Sequence, residues 1–527
     1  MAHDLGTSGN KACLYRIDKK IELVDSFLVE YPLYSTPDGG VEQNAEDWWK
    51  AVCESTRALI NRSGLNPSYI KGISFCCQMQ GSVLVDRQGK VLRNPMIYLD
   101  GRSTQQIARY LYNGLLKIDK WNMFTTLKSL IITGGIAGTA KDPLWKYLWV
   151  RDNEPKVFEK TYKWLDVKDC LTLRCTGNYG MTGDSAHLTW VYDTRPGKQQ
   201  WSKSLCKKFD VNMEHLPPVI QSTGVVGELT AQAAEDMGLV KGIPVFGGGG
   251  DTSLTAVGSG CLEEFDTHIY VGTSGWVVSN VNKRLVDVSN FIASIISAIP
   301  GGYSYSAEQE TSGLCLQWVR DHLALDEIGM YLDAQHIADK NEEYNSLFDF
   351  LNEVVSQTDP GSGGVIFTPW LHGNRSPRED PHSRGMFFNL SINTGKRQMI
   401  RSVMEGVSFH KRWMLEAMEK KIPKRETLRF VGGGARSDVW CQIMADVTGR
   451  NIETIDNAQN AGTIGAAVVC AVGLGLMSFP AAKALIPTKK SYSPRRQFKE
   501  MYDLNYSCFS KLYDNNKKLF AALNQPH

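Results

Sequence analysis

The alternation of apolar and polar positions lays out the elements of the chain. Near the start, "ACLYRI" and "ELVDSFLVEY" flank "DKK", which predicts a hairpin continuing from a Gly-Thr-Ser-Gly turn at 6–9. In "NAEDWWKAVCESTRALINR" the apolar residues Trp48, Trp49, Val52, Leu59 and Ile60 recur at helical spacing, with Asn44 as N-cap. "IKGISFCCQ" reads as a buried strand, and "GSVLVDRQGKVL" as a second hairpin with Arg87-Gln88-Gly89 in its turn. From about 141 to 193 the pattern is mostly helical, with many aromatics. "GIPVFGGGGDTSLTAVGSG", 242–260, is the most glycine-dense stretch and a natural seam. After it the order restarts: a short strand, a second Gly-Thr-Ser-Gly at 272–275, more strands, then helices. "LRFVGGGARSDVWCQIMADVTGR" is strand, glycine turn, helix. The last helix carries Phe498, Tyr502, Tyr506, Phe509 and Tyr513 on one stripe, predicted to pack onto the body.

This weak internal repeat predicts two related α/β domains facing each other across a cleft, 1–254 and 255–527. A length of 527 residues is compatible with two large domains as well as with three or four of ordinary size. With 42% hydrophobic and 22% charged residues and a net charge of +2, the chain is of ordinary globular composition. It has no dense basic stripe, so neither nucleic acid nor an anionic membrane is an expected partner. The apolar run "AGTIGAAVVCAVGLGLM", 461–477, is at the short end for a membrane span and carries four glycines. A tightly packed buried helix is expected there instead. Asp4 precedes any apolar stretch, so no signal peptide is expected, and twelve cysteines without a CxxC pattern predict reduced thiols in a cytoplasmic protein.

Chemistry enters with the two glycine turns. A strand ending in Gly-Thr-Ser-Gly exposes consecutive backbone N–H groups and short hydroxyls, a good cradle for phosphate. Two such turns on facing domains would hold a triphosphate tail from both sides. No GxxxxGK[ST] occurs, which excludes a P-loop, and "VGGGARS" does not satisfy GxGxxG. Asp4, just before the first turn, is placed to hold Mg²⁺ against phosphates, or else is a structural turn carboxylate. Asp251, ending "GGGGD", suits general-base work on a hydroxyl; a helix cap is the alternative. The second turn has Tyr270 where the first has Asp4.

Taken together and in order, these segments resemble the FGGY family of carbohydrate kinases, within the actin/hexokinase/Hsp70-like ATPase superfamily. The resemblance spans about 1–515: "DLGTSGNKA" (4–12), "QMQG" (78–81) with "YLDGRS" (98–103), "DPLWKYLWVRDNEP" (142–155), "GGGGD" (247–251), "VGTSG" (271–275), "GNRSP" (373–377) with "GMFFNLSINTGKRQMIRSVMEGVSF" (385–409), and "VGGGARSDVWCQIMADVTGR" (431–450) with "GTIGAA" (462–467). It implies two ribonuclease H-like (actin-like ATPase) domains facing across a cleft, and a cytoplasmic phosphotransferase using ATP and Mg²⁺. It assigns Asp4 to the metal and Gly6, Thr7, Ser8, Lys11, Gly272 and Thr273 to the phosphates. Gly433, Gly434 and Arg436 go to the adenosine side. Met79, Gln80, Asp100 and Arg102 go to the sugar side, and Asp251 is the base that takes the sugar hydroxyl's proton.

The departures from the family pattern cluster on the sugar side. Gln80 stands where xylulokinases usually have His, Tyr98 where Trp is common, Asn374 where Glu is usual and Asn389 where Gly is usual. "TGDSAHL" (182–188) carries its acidic residue displaced, at Asp184, and only three residues precede Asp4, which predicts a frayed first strand or a trimmed chain. The expected acceptor is a ketopentose, D-xylulose first, with L-xylulose, ribulose, gluconate and short polyols as alternatives. A non-catalytic sugar or nucleotide sensor and an actin- or Hsp70-like ATPase are the competing classes on the same fold. A homodimer is a family-level expectation only.

Overall fold

The structure, a computed structural model, is described for residues 1–118, 120–323 and 349–524. The first half is built on strands β1 (Ala2–Leu5), β2 (Gly9–Ile17) and β3 (Ile21–Glu30), followed by helix α1 (Ala45–Ser63) and strand β4 (Ser74–Cys77). Helices α2 (Pro143–Asn153) and α3 (Val167–Thr176) lie in the long excursion before strand β5 (Gly249–Gly250) and helix α4 (Asp251–Gly258). The sheet order is β5-β4-β1-β2-β3, with β1 antiparallel to β2 and parallel to β4, and β4 parallel to β5. As expected, Asn44 caps α1 through the Glu46 N–H at 2.9 Å, and Trp48, Trp49, Val52, Leu59 and Ile60 are all buried. The first strand is not frayed. Ala2 to Leu5 pair on both sides, and the Met1 amino group donates to the Gly72 carbonyl at 3.0 Å.

The second half repeats this plan with β6 (Thr267–Val271), β7 (Gly275–Val281), β8 (Tyr303–Gln309), α5 (Lys396–Met418), β9 (Thr427–Val431), α6 (Asp438–Thr448), β10 (Asn451–Ile455) and α7 (Ala461–Gly473). Its central order is β8-β7-β6-β9-β10, again with two antiparallel and two parallel pairings. Strand for strand, this is the arrangement of the first sheet. Three further strands widen it: Val286–Asp287 and Ile292–Ile296 beyond β8, and Thr488–Tyr492 beyond β10. Helix α8 (Lys499–Asn524) closes the chain, burying Tyr502, Tyr506, Phe509 and Tyr513. Phe498 falls in a short turn of helix just before it.

Helices α4 and α7 occupy equivalent places, each following the fifth strand of its sheet, and they cross at the centre of the molecule. A Cβ on Gly258 would lie 1.8 Å from the Ala461 carbonyl oxygen, and one on Gly465 would lie 1.9 Å from that of Leu254. The two backbones touch because neither position has a side chain. The apolar run from 461 is therefore a helix buried through Ala471, and among the described residues no helix is long and apolar enough to cross a membrane. The expected boundary between residues 254 and 255 falls inside α4, which runs unbroken to Gly258.

Candidate active site

A cleft of about 2000 Å³ opens between the two sheets, and both glycine turns line it. In the first turn, the Gly6 N–H donates to the Gly9 carbonyl at 3.0 Å, while the carbonyls are held from behind. Gln43 donates to the Thr7 carbonyl at 2.6 Å, Gln78 to that of Gly6 at 3.3 Å, the Tyr31 N–H to that of Ser8 at 3.1 Å, and the Tyr31 hydroxyl to that of Gly6. Gly9 is required by close approach, since a Cβ there would meet the Val29 carbonyl oxygen at 2.7 Å. The second turn is braced differently. The Gly313 N–H donates to the Gly272 carbonyl at 2.6 Å, and those of Ser312 and Leu314 to Thr273 at 3.0 and 3.1 Å. Directing carbonyls backward in both turns suits the cleft-facing side to anions.

The residues paired across each hairpin differ. Asp4 faces Lys11 across β1 and β2. Tyr270 holds the place of Asp4 before the second turn, but the register there is shifted by one residue, so it faces Trp276, their rings stacked at 3.9 Å, and not the Lys11 counterpart Val277. Burial pushes the Asp4 carboxyl up, while the Lys11 ammonium and a hydrogen bond from Cys76 pull it back. Lys11 itself donates to the Asn460 side chain at 3.2 Å, reaching from the first sheet to the loop before α7. One carboxylate at a strand end suits Mg²⁺, which keeps several waters and is usually shared with phosphate oxygens. Among the described residues no three His, Cys, Asp or Glu side chains gather into a fuller ligand set.

Asp251 is the first residue of α4, and its carboxylate accepts the Thr252 N–H at 2.7 Å. Burial pushes this carboxyl up to about 7, with the negative charges of Asp4 and Glu308 adding to the effect. Asp184 braces the turn beneath it. It is buried, accepts the Gly250 N–H at 2.8 Å, and is held by Thr182 and the Ser185 N–H. The acidic residue that looked displaced in the sequence thus supports the strand that carries Asp251. Met79 packs on the same turn, since a Cβ on Gly250 would lie 2.2 Å from its sulfur.

Of the remaining expected residues, Gly6, Thr7, Ser8, Lys11, Met79, Gln80, Gly272, Thr273, Gly433 and Arg436 all line the cleft. Three do not. The Asp100 carboxylate is fully buried, accepting the Val41 N–H at 2.9 Å and Arg102 at 2.8 Å. Arg102 also pairs with Glu42 and lies over the Trp149 ring at 4.5 Å. Their charges satisfy one another behind the residues that line the cleft. Gly434 is packed against Val271, with its missing Cβ 2.8 Å from that side chain.

Several cleft residues were not singled out from the sequence. Arg375 pairs with Glu308 at 2.7 Å, Lys141 reaches Glu310 at 4.0 Å across the cleft, and Glu379 lies close by. Arg375 falls inside the "GNRSP" segment, the one signal that pointed here. Tyr98 joins the two ends of the site, with its hydroxyl 3.0 Å from that of Thr7.

Residues 1–258 match the FGGY family of carbohydrate kinases, N-terminal domain, and residues 268–474 match its C-terminal domain. The chain is 27% identical over 525 residues to a xylulose kinase of Bacillus subtilis (strain 168), covering 99% of this chain and 97% of that one. Its fold matches that of a ligand-bound xylulose kinase from Lactobacillus acidophilus at a TM-score of 0.83 and 22% identity, over 99% of this chain and 100% of the other. A gluconate kinase from the same organism matches at 0.83 and 22% over 99% and 98%. Two sheets of identical strand order, two equivalent phosphate-type turns on one cleft, and a match along both halves identify the chain as a member of the FGGY family of carbohydrate kinases, an ATP-dependent sugar kinase with the two-domain actin-like fold.

Proposed function

We propose that this kinase transfers the γ-phosphate of ATP to a hydroxyl of a small neutral ketose, D-xylulose first, with Asp251 as general base. The observation that carries the reading is the position of Asp251 at the head of α4, in one cleft with both Gly-Thr-Ser-Gly turns. In this reading the turn at 6–9 with Lys11 and the turn at 272–275 grip the phosphates from opposite sheets, and Gly433 and Arg436 flank the adenosine. Asp4 would hold Mg²⁺, which when bound supplies neutralisation of the phosphate charge. Met79 and Gln80 fix the acceptor. Asp251 takes the proton of its hydroxyl, the freed oxygen bonds to the γ-phosphorus, and the bond to the β-phosphate oxygen breaks to release ADP.

Fold likeness does not choose between xylulose and gluconate, since kinases of both names match equally well. The charge of the lining does not choose either, since Glu308, Glu310 and Glu379 share the cleft with Arg375, Lys141, Lys120 and Arg384. The kinship to the Bacillus subtilis xylulose kinase is what favours the ketose. The division near 254, a cytoplasmic setting, action without nucleic acid or membrane, and a homodimeric assembly belong to the same proposal. All twelve cysteines are unpaired, eleven of them buried, in keeping with a reducing compartment.

The test is a coupled assay with ATP, Mg²⁺ and a panel of D-xylulose, L-xylulose, ribulose, gluconate and short polyols. D-xylulose is expected to give the highest kcat/KM. Asp251→Ala is expected to lower kcat by about 10²–10⁴-fold while ATP affinity is retained. A preference for gluconate overturns the acceptor, and equal turnover by the variant overturns the base.

A further inference from the structure

Lys146 lies on α2, fully buried, and does not line the cleft. Its ammonium donates to two carbonyls, that of Gln80 at 2.8 Å and that of Ile97 at 2.6 Å. Burial pulls its pKa down to about 7, and the two hydrogen bonds, which the amine donates in either protonation state, are what satisfy this buried group. Both carbonyls belong to segments facing the acceptor half of the site. Gln80 lines the cleft, and Ile97 precedes Tyr98, whose hydroxyl meets Thr7 of the first phosphate turn.

The segment at 79–81 is clamped on three sides. Lys146 takes the Gln80 carbonyl, Asp166 accepts the Gly81 N–H at 2.9 Å, and Met79 is pressed onto Gly250 beside Asp251. Within this clamp Gln80 has φ 63°, the left-handed region that a side-chain-bearing residue adopts only under constraint. An unclamped peptide would relax to negative φ and re-aim the Gln80 side chain in the cleft that it lines.

We infer that Lys146 is a positioning residue for the sugar. By bonding the Gln80 carbonyl, with the Ile97 carbonyl as its second anchor, it fixes the backbone that presents the Gln80 side chain to the cleft. The inference rests on the kinase reading above. It differs from general structural support in being selective: acceptor binding is expected to suffer while ATP binding is kept.

The experiment compares Lys146→Met, which keeps the stem and loses the donors, with Gln80→Ala and the double variant. In Lys146→Met the acceptor KM is expected to rise about tenfold or more, while the Kd for ATP, titrated without acceptor, stays within about twofold. The double variant is expected to be no worse for acceptor KM than Gln80→Ala, because the lysine acts through that residue. Should Lys146→Met fail to fold, Lys146→Gln, which retains one amide donor group, enters the same cycle. Additive effects on acceptor KM, or equal weakening of ATP and acceptor, overturn the inference. A wild-type enzyme inactive on every sugar overturns both readings, whereas an active wild type with an additive cycle overturns only this one.

Discussion

Two demands conflict on the Asp251 carboxyl. As the proposed base it must be ionised at working pH, yet burial, with the neighbouring Asp4 and Glu308 adding, pushes its pKa up to about 7. On the acid side, kcat/KM is therefore expected to fall about tenfold per pH unit below pH 7, measured with the coupled assay over pH 5–9. Stability should run the opposite way. A carboxyl whose folded pKa is raised contributes stability at low pH that is lost as pH rises through the folded value. Asp251→Asn is thus expected to melt with the wild type near pH 4 and above it beyond pH 7, read by thermal unfolding without ligand. Asp251 was legible because a carboxylate ending a glycine turn is a rare pattern. That Asp100 and Arg102 lie off the cleft lining was not legible, because Glu42, which Arg102 also pairs with, lies 60 positions away and sequence spacing does not reveal that a charge is already satisfied. Lys146 was passed over for the converse reason, since a lysine on an amphipathic helix normally points to water.

At the scale of elements, the crossing of α4 and α7 is a backbone contact. The atom that a new Cβ would strike at Gly258 is a main-chain carbonyl, which has no rotamer to escape into. Gly258→Ala is expected to cost about 2–3 kcal/mol or more by denaturant unfolding. Its helical backbone would otherwise gain from alanine, so the loss measures the crossing. The hairpins, α1 and the buried helix from 461 were all legible, because each repeats its apolar period over many residues. The crossing was not, since four glycines in an apolar run announce close packing without naming the partner.

At the scale of the whole molecule, both sheets line the one cleft, so under the proposed reading ligand occupancy couples the halves. ATP at a hundredfold excess over its Kd is expected to stabilise the fold by about 2.7 kcal/mol, with a single shifted transition in calorimetry and not a shift of one half alone. The duplicated plan was legible from two copies of Gly-Thr-Ser-Gly in matched settings. The strand orders that make the copies equivalent depend on which strands pair, and that is decided by contacts far apart in sequence, such as β1 beside β4 and β6 beside β9.

Beside the second turn the stacked rings of Tyr270 and Trp276 face each other, whereas beside the first the charged Asp4 and Lys11 do. Two identical cradles would let an elongated polyanion lie in the cleft in either of two directions. Charged groups at one turn and flat, uncharged rings at the other make the directions unequal, so under the proposed reading a triphosphate would lie with a defined head and tail before any acceptor arrives.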